Sequence, residues 1–392
     1  MRQGRRARIL IAPDSLKGSL RATEAAAIMG EAVGHEIPGT EIKEVPLSDG
    51  GEGFLEALLQ AAGGREIAVD VHDPLMRPMR ASFGMLPDGR TAVVEMAAAA
   101  GLELLAPGER NPWLTTSYGV GELIQAALDE GARHILLGVG GTATVDGGTG
   151  ILQALGARFL DRRGNPLPAG GGALQHLEKI DLSALDPRLE ESLITIACDV
   201  ANPLTGPEGA AEVYAPQKGA DEEMTRHLAR NLVRLAEVVL RTTGREVATL
   251  PYGGAAGGTA AVLAGLIKAR LQPGFDVVSE ITRLEEHIRK SDIILTAEGH
   301  TDEQTLQGKL PYALARKASS FRIPVVLFTG GADTTLLERF LKIFLGVVPL
   351  NPSLMPYEEA MKNVRLHLRW AVRQTLRLLN DTSLLKEGEG YG

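Results

Sequence analysis

Aromatic side chains make up only 4% of this chain, so nucleobases and other flat ligands find few rings to stack on. Cysteine is scarcer still. Cys198 stands alone among 392 residues, which excludes an internal disulfide and fits a reducing, cytoplasmic setting. No apolar run approaches the ~20 residues that a membrane-crossing helix needs, and residues 9–12 are too short for the core of a secretion signal. Positive charge is in deficit as well. Asp and Glu number 49 against 41 Lys and Arg, a formal net charge of −8, so neither nucleic acid nor an acidic membrane is the expected partner. The Arg-rich first eight residues read as a solvated tail.

Several catalytic signatures are missing too. The G-x-x-x-x-G-K-[ST] phosphate loop is absent: Gly308-Lys309 resembles its tail, but Leu310 stands where a hydroxyl residue is required. Any ATP site must therefore be of another design. Protein-kinase motifs, H-E-x-x-H and G-x-S-x-G are absent, and the eight histidines show no pair at metal-ligand spacing.

What the chain does have is glycine, 46 residues of it, concentrated in five loops that also carry acidic or hydroxyl side chains. They are Ala12-Pro13-Asp14-Ser15-Leu16-Lys17-Gly18-Ser19, Ser48-Asp49-Gly50-Gly51-Glu52-Gly53, Gly140-Gly141-Thr142-Ala143-Thr144-Val145-Asp146-Gly147-Gly148, Gly253-Gly254-Ala255-Ala256-Gly257-Gly258-Thr259 and Glu298-Gly299-His300-Thr301-Asp302. Such loops bring bare backbone N–H groups to helix starts, where a phosphate docks. Carboxylates beside them would repel a bare phosphate but suit one that arrives with a divalent cation or a substrate hydroxyl. The combination points to phosphoryl transfer.

The pattern around these loops predicts an α/β protein. Apolar runs at 8–12, 41–47, 293–296, 324–328 and 343–348 read as strands, and residues 24–33, 54–62, 310–318 and 357–379 as helices. That alternation implies a parallel sheet with loops at its C-terminal edge. Between about 66 and 96 the pattern becomes short and alternating, with turns at Asp73-Pro74 and Asp88-Gly89, and antiparallel strands are expected. A helix at 119–130, strands at 134–139 and 193–199, and a long amphipathic helix at 222–243 follow. The simplest organisation is a discontinuous α/β domain of residues 1–65 and 286–392 with a mixed α/β domain, 66–285, inserted. A ligand cleft is expected between them.

Each candidate residue competes with a plainer role. Asp14, Ser15 and Lys17 leave the first strand as an acid, a hydroxyl and a cation, suited to a substrate and a migrating phosphoryl group; the alternative is an Asx turn with a surface lysine. Asp49 and Glu52 flank two glycines at a helix start, where one acid would suffice for capping. Asp199 and Asn202 follow a strand, and oxygen donors of this kind bind hard cations or orient a hydroxyl, though they also stabilise loops. Glu298 and Asp302 sit on a loop after another strand. Gly138-Val139-Gly140-Gly141-Thr142-Ala143 fits the G-x-G-x-x-A dinucleotide fingerprint with Asp161 near the ribose position, but Asp146-Gly147-Gly148 interrupts the helix that the fingerprint needs. An NAD-dependent hydroxy-acid oxidoreductase and a non-catalytic nucleotide or metabolite sensor stay open as alternatives.

The set of motifs taken together resembles the bacterial glycerate kinase family. Beside the loops above it includes Glu95-Met96-Ala97, Thr115-Thr116-Ser117-Tyr118-Gly119, Cys198-Asp199-Val200, Asn202-Pro203-Leu204 and Pro216-Gln217-Lys218-Gly219, in family order along almost the whole chain. The resemblance implies a flavodoxin-like α/β domain with an inserted domain of different fold. It also implies ATP-dependent phosphorylation of D-glycerate with Mg²⁺, the product in most of the family being 2-phosphoglycerate. Asp199 is then the first candidate for the base that takes the hydroxyl proton, with Asp49 second and Lys17 assisting catalysis. Asp14, Ser15, Asn202, Gly140, Gly141, Thr142 and Thr144 would bind substrate. Gly257, Gly258, Glu298, Gly299 and Lys309 would bind nucleotide, and Asp302 and Glu298 the metal. The expected partners are small molecules, and a homodimer is compatible with the sequence. Two departures stand out: His300 replaces the family's arginine, and Tyr252 occupies a position where a small residue is typical.

Overall fold

A computed structural model describes residues 6–198, 200–306, 308–353 and 355–380. Among these the strands are, in order, β1 (Arg8–Ile11), β2 (Glu41–Glu44), β3 (Arg65–His72), β4 (Pro78–Met85), β5 (Thr91–Glu95), β6 (His134–Gly138) and β7 (Arg158–Leu160). They continue as β8 (Lys179–Asp181), β9 (Leu193–Cys198), β10 (Arg270–Pro273), β11 (Ile293–Glu298), β12 (Val325–Thr329) and β13 (Gly346–Pro349). The chain divides into two compact units. One holds the residues up to Ser48, Glu56–Ala61 and Val278 onward; the other holds Asp49–Leu55 and Ala62–Val277.

The first unit contains a five-stranded parallel sheet in the order β13-β12-β11-β1-β2. Counting only this unit's strands, that is the 2-1-3-4-5 order of a flavodoxin-like fold. β12 is buried along its whole length and β1 at Ile9, Leu10 and Ile11, as expected of strands covered on both faces. Helix Ala22–Glu36 packs Ala25, Ala26, Met29 and Val33 into one apolar core with Leu368, Val372 and Leu376 of helix Val364–Asn380. The second strand, expected to reach residue 47, is regular only to Glu44: the Val45 and Leu47 N–H groups still donate to the Ile11 and Pro13 carbonyls at 2.8 and 2.9 Å, but Pro13 on the facing strand has no N–H to return. The predicted closing helix is two helices, Tyr357–Lys362 and Val364–Asn380. Asn363 between them has φ −98° and ψ 7°, a bridge-region conformation sparsely used in helices.

The second unit is built on a six-stranded sheet, β10-β9-β6-β5-β4-β3. β3, β4 and β5 pair antiparallel, as the alternating pattern predicts. β5, β6, β9 and β10 run parallel to one another, so their carboxyl ends, Glu95, Gly138, Cys198 and Pro273, lie along one edge. The helix Glu222–Thr243 begins at Asp221, whose side chain accepts from the Met224 N–H at 2.8 Å, and ends at Gly244 in the left-handed region. It buries Leu228, Leu232, Leu235 and Val239 in the core.

Candidate active site

Three of the five glycine loops gather at the carboxyl edge of the second unit's parallel strands. Ligands of open α/β sheets bind at that edge. The Gly140 N–H donates to the Gly50 carbonyl at 3.0 Å, and the Gly147 N–H donates to the Gly257 carbonyl at 3.1 Å. A methyl group on Gly140 would overlap Gly51 Cα, so only glycine lets these two backbones approach so closely. The turns carrying Asp49, Gly140, Gly141, Thr142, Thr144, Gly257 and Gly258 are thus brought together. Asp49 is half-buried, and its Oδ1 accepts from the Gly51 N–H at 3.1 Å. Thr142 and Thr144 are buried, while Gly141 is exposed. The Thr144 hydroxyl, fully enclosed, meets no hydrogen-bond partner within the described residues.

Asn202 sits on the rim of this group. Its backbone carbonyl accepts from the Gly254 N–H at 2.8 Å. Its side chain accepts from the Tyr214 hydroxyl at 2.7 Å and donates to the Glu208 carbonyl at 2.9 Å. Asp199 lies outside the described residues. The dinucleotide fingerprint lacks its helix: after the 140–144 turn the chain passes through left-handed Gly147 and Gly148, and the helix opens only at Thr149. Tyr252, the second departure, adopts φ +67°, a region that bulky residues rarely occupy.

The other two loops meet in the first unit, at the carboxyl ends of β1 and β11. These adjacent strands mark the point where the strand order reverses, the usual ligand position in this topology. The Asp14 N–H donates to the Ala297 carbonyl at 2.9 Å, and Asp14 Oδ1 accepts from the Ser15 N–H at 2.6 Å. Ser15 is half-buried and Lys17 exposed. Gly299 is close to this turn, since a methyl on it would come within 3.2 Å of the Lys17 nitrogen. Asp302 Oδ1 accepts from the Gln304 N–H at 2.9 Å and lies 3.5 Å from Lys309 Nζ.

Glu298 is the buried acid of this group, 3% exposed. Its Oε1 accepts from the hydroxyls of Thr301 at 2.8 Å and Thr305 at 3.0 Å. Burial pushes its carboxyl up to about 7, against the pull of the two hydroxyls and of Lys309. The unfolded chain ionises this group near 4.5. Because the native value is the higher one, the contribution to folding is complete below the unfolded value and is lost as pH rises through about 7. Glu298→Gln should therefore match the wild type near pH ~4 and exceed it by roughly 3 kcal/mol near pH ~8. Urea unfolding of both proteins at the two pH values checks this. An equal difference at both would rule out ionisation as the cause.

Two residues of the second unit were not among the site candidates. Glu95, at the end of β5, accepts from the Leu55 N–H at 2.6 Å. Lys218 is buried, and its ammonium donates to Thr144 O at 2.7 Å and Thr142 Oγ1 at 3.1 Å. Both lie inside the quoted family motifs, but no local pattern distinguishes them from ordinary charged side chains.

The sequence profile of the glycerate kinase family matches residues 9–380. The chain belongs to the glycerate kinase family. It is accordingly an enzyme of the kinase class. A glycerate kinase of Bacillus subtilis (strain 168) is 42% identical over 366 residues, covering 93% of this chain and 96% of that protein. The glycerate 2-kinase of Escherichia coli (strain K12) is 45% identical over 323 residues, covering 82% and 85%. A crystal structure from Salmonella typhimurium LT2, described as that of a candidate glycerate kinase 2, superposes with a TM-score of 0.86 at 40% identity, covering 97% of this chain and 100% of that one. No helix among the described residues is long and apolar enough to cross a membrane.

Proposed function

We propose that this protein transfers the γ-phosphoryl group of ATP to a hydroxyl of D-glycerate, giving ADP and phosphoglycerate. The bond from the γ-phosphorus to the β,γ-bridging oxygen breaks, and a bond from that phosphorus to the glycerate oxygen forms. The hydroxyl proton passes to a carboxylate. Family membership supports the acceptor. The observation that carries the reading is the meeting of the 49–53, 140–144 and 253–259 turns, with Thr142, Thr144 and Asp49 among them, at the carboxyl edge of parallel strands. The name of the Escherichia coli relative favours 2-phosphoglycerate as the product.

In this reading the exposed Gly141 and the threonines of the 140–144 turn receive the carboxylate of glycerate. Asn202 lines the same edge. Asp199 is the first choice for the base and Asp49 the second, since a base must come within hydrogen-bond reach of the proton it takes. Gly257, Gly258, Gly299 and Lys309 contact the nucleotide, and Asp14, Ser15 and Lys17 contact substrate and the migrating phosphoryl.

Mg²⁺, when bound with ATP, would screen the charge of the phosphates. Among the described residues no group of three His, Cys, Asp or Glu side chains gathers as a metal cage. The half-buried Asp302 nevertheless fits a nucleotide-borne ion, because Mg²⁺ usually keeps several waters and takes one or two carboxylates plus phosphate oxygens. Glu298, enclosed and already accepting two hydroxyls, would act through water.

The test is direct. Purified protein with ATP, Mg²⁺ and D-glycerate should release ADP, and phosphorus NMR should identify the ester formed. No ADP release sinks the reading, and a fluorescence response to a reduced nicotinamide cofactor would favour the oxidoreductase instead. Asp199→Asn should lower kcat by roughly 100-fold or more while the melting curve stays in place. Near-normal turnover would remove Asp199 as the base.

A further inference from the structure

Among the described residues, no lysine or arginine other than Lys218 is buried; it is 3% exposed. Lysine is almost never enclosed unless it is paired, because its charge loses hydration. A fold that needed only to fill this volume would use methionine or leucine. The turn that carries it, Pro216–Lys218, is closed by hydrogen bonds from the Gly219 N–H to the Pro216 carbonyl at 3.0 Å and from the Ala220 N–H to the Ala215 carbonyl at 3.1 Å. The ammonium therefore stands on a rigid support. From there it donates to Thr144 O at 2.7 Å and to Thr142 Oγ1 at 3.1 Å. The 140–144 turn is held from other sides by the Ala143 N–H, which donates to the Ala100 carbonyl at 2.8 Å, and by the Thr115 hydroxyl, which donates to the Ala143 carbonyl at 2.8 Å.

The chemistry of a hydroxyl gives this contact a direction. An ammonium has three donors and no acceptor, so Thr142 Oγ1 can only accept from it. The threonine's own proton must then point away from Lys218, and an oxygen that accepts from a cation is a stronger donor in turn. We propose that Lys218 is a positioning residue for the anionic acceptor: it locks the 140–144 turn and commits the Thr142 hydroxyl to donate to the substrate carboxylate. The inference rests on the reading that this turn receives glycerate. It adds that selection of an anionic over a neutral acceptor originates in a lysine behind the turn. The enclosed Thr144 hydroxyl, which has no hydrogen-bond partner among the described residues, is a second group of the 140–144 turn left with a hydrogen bond to make.

Steady-state kinetics of Lys218→Met and Thr142→Val test this. Both should raise the KM for D-glycerate by about 10- to 100-fold, the worth of one charge-assisted hydrogen bond. The KM for ATP should change by less than about twofold, a split that general loosening of the fold would not give. The advantage of D-glycerate over glycerol as acceptor should shrink by the same factor. If Lys218→Met loses its cooperative melting transition, Thr142→Val, which keeps the lysine, carries the test. An unchanged glycerate KM in a folded variant, or equal rises for both substrates, overturns the role of Lys218 while wild-type turnover upholds the kinase reading. Absence of both turnover and calorimetric glycerate binding in the wild type overturns the acceptor assignment and this inference together.

Discussion

Gly274→Ala should cost about 100-fold in glycerate phosphorylation, although residue 274 has no side chain to offer the chemistry. Gly274 follows β10, and a methyl group there would overlap the Asp49 backbone carbonyl. A carbonyl cannot rotate out of the way as a flexible side chain can, so Asp49 itself must move. The next residue, Gly50, supplies the carbonyl that accepts from the Gly140 N–H, and displacement passes directly to the 140–144 turn. A misplacement of ~1 Å far from the reacting atoms is enough for a loss of this size. The measurement is kcat and KM beside a melting curve. Gly108→Ala is the control, since a methyl there meets nothing within 4 Å. A folded Gly274→Ala enzyme within about threefold of the wild type would show that the Asp49 turn tolerates movement or takes no part.

Asp146→Ala is expected to act on stability, removing roughly 4 kcal/mol from the second unit. Asp146 is fully buried. Its carboxylate accepts from the Ser117 N–H at 2.9 Å, the Ser117 hydroxyl at 2.8 Å, the Gly148 N–H at 3.0 Å and the Gly150 N–H at 3.3 Å. It thereby joins the starts of helices Tyr118–Asp129 and Thr149–Ala154, where a negative charge is favoured and unpaired N–H groups need acceptors. Removal strands several buried donors at once. Asn in its place keeps one acceptor oxygen but turns an NH₂ toward those donors, so Asp146→Asn should fall between the two. Urea unfolding measures both. A loss below about 1 kcal/mol for the alanine variant would mean that water or neighbouring groups replace the carboxylate.

Asp49 and Asp146, each the first residue of a D-G-G-x-G stretch, show how far the chain could be read without coordinates. Both precede paired glycines, and the local pattern treats them alike. Asp146 is enclosed among helix starts, whereas Asp49 stays half-exposed at a strand edge. Burial depends on residues far along the chain, such as Ser117, 29 positions away, and no local window contains them. Lys218 makes the same point with the opposite charge. Its acceptors are more than 70 residues distant, so composition and spacing present it as one more surface cation.

The alternation of apolar runs with helical stretches was enough to establish the α/β class and the candidate loops, because strand and helix periodicities are local and each loop follows its own strand. Family membership was legible for a related reason: short motifs in a conserved order survive wherever backbone turns must keep their shape. Strand order, the 2-1-3-4-5 arrangement that puts Asp14 beside Glu298, and the meeting of the 49–53, 140–144 and 253–259 turns depended on long-range pairing. So did the raised carboxyl of Glu298, since desolvation is a property of everything packed around a group and is written in no single stretch of chain.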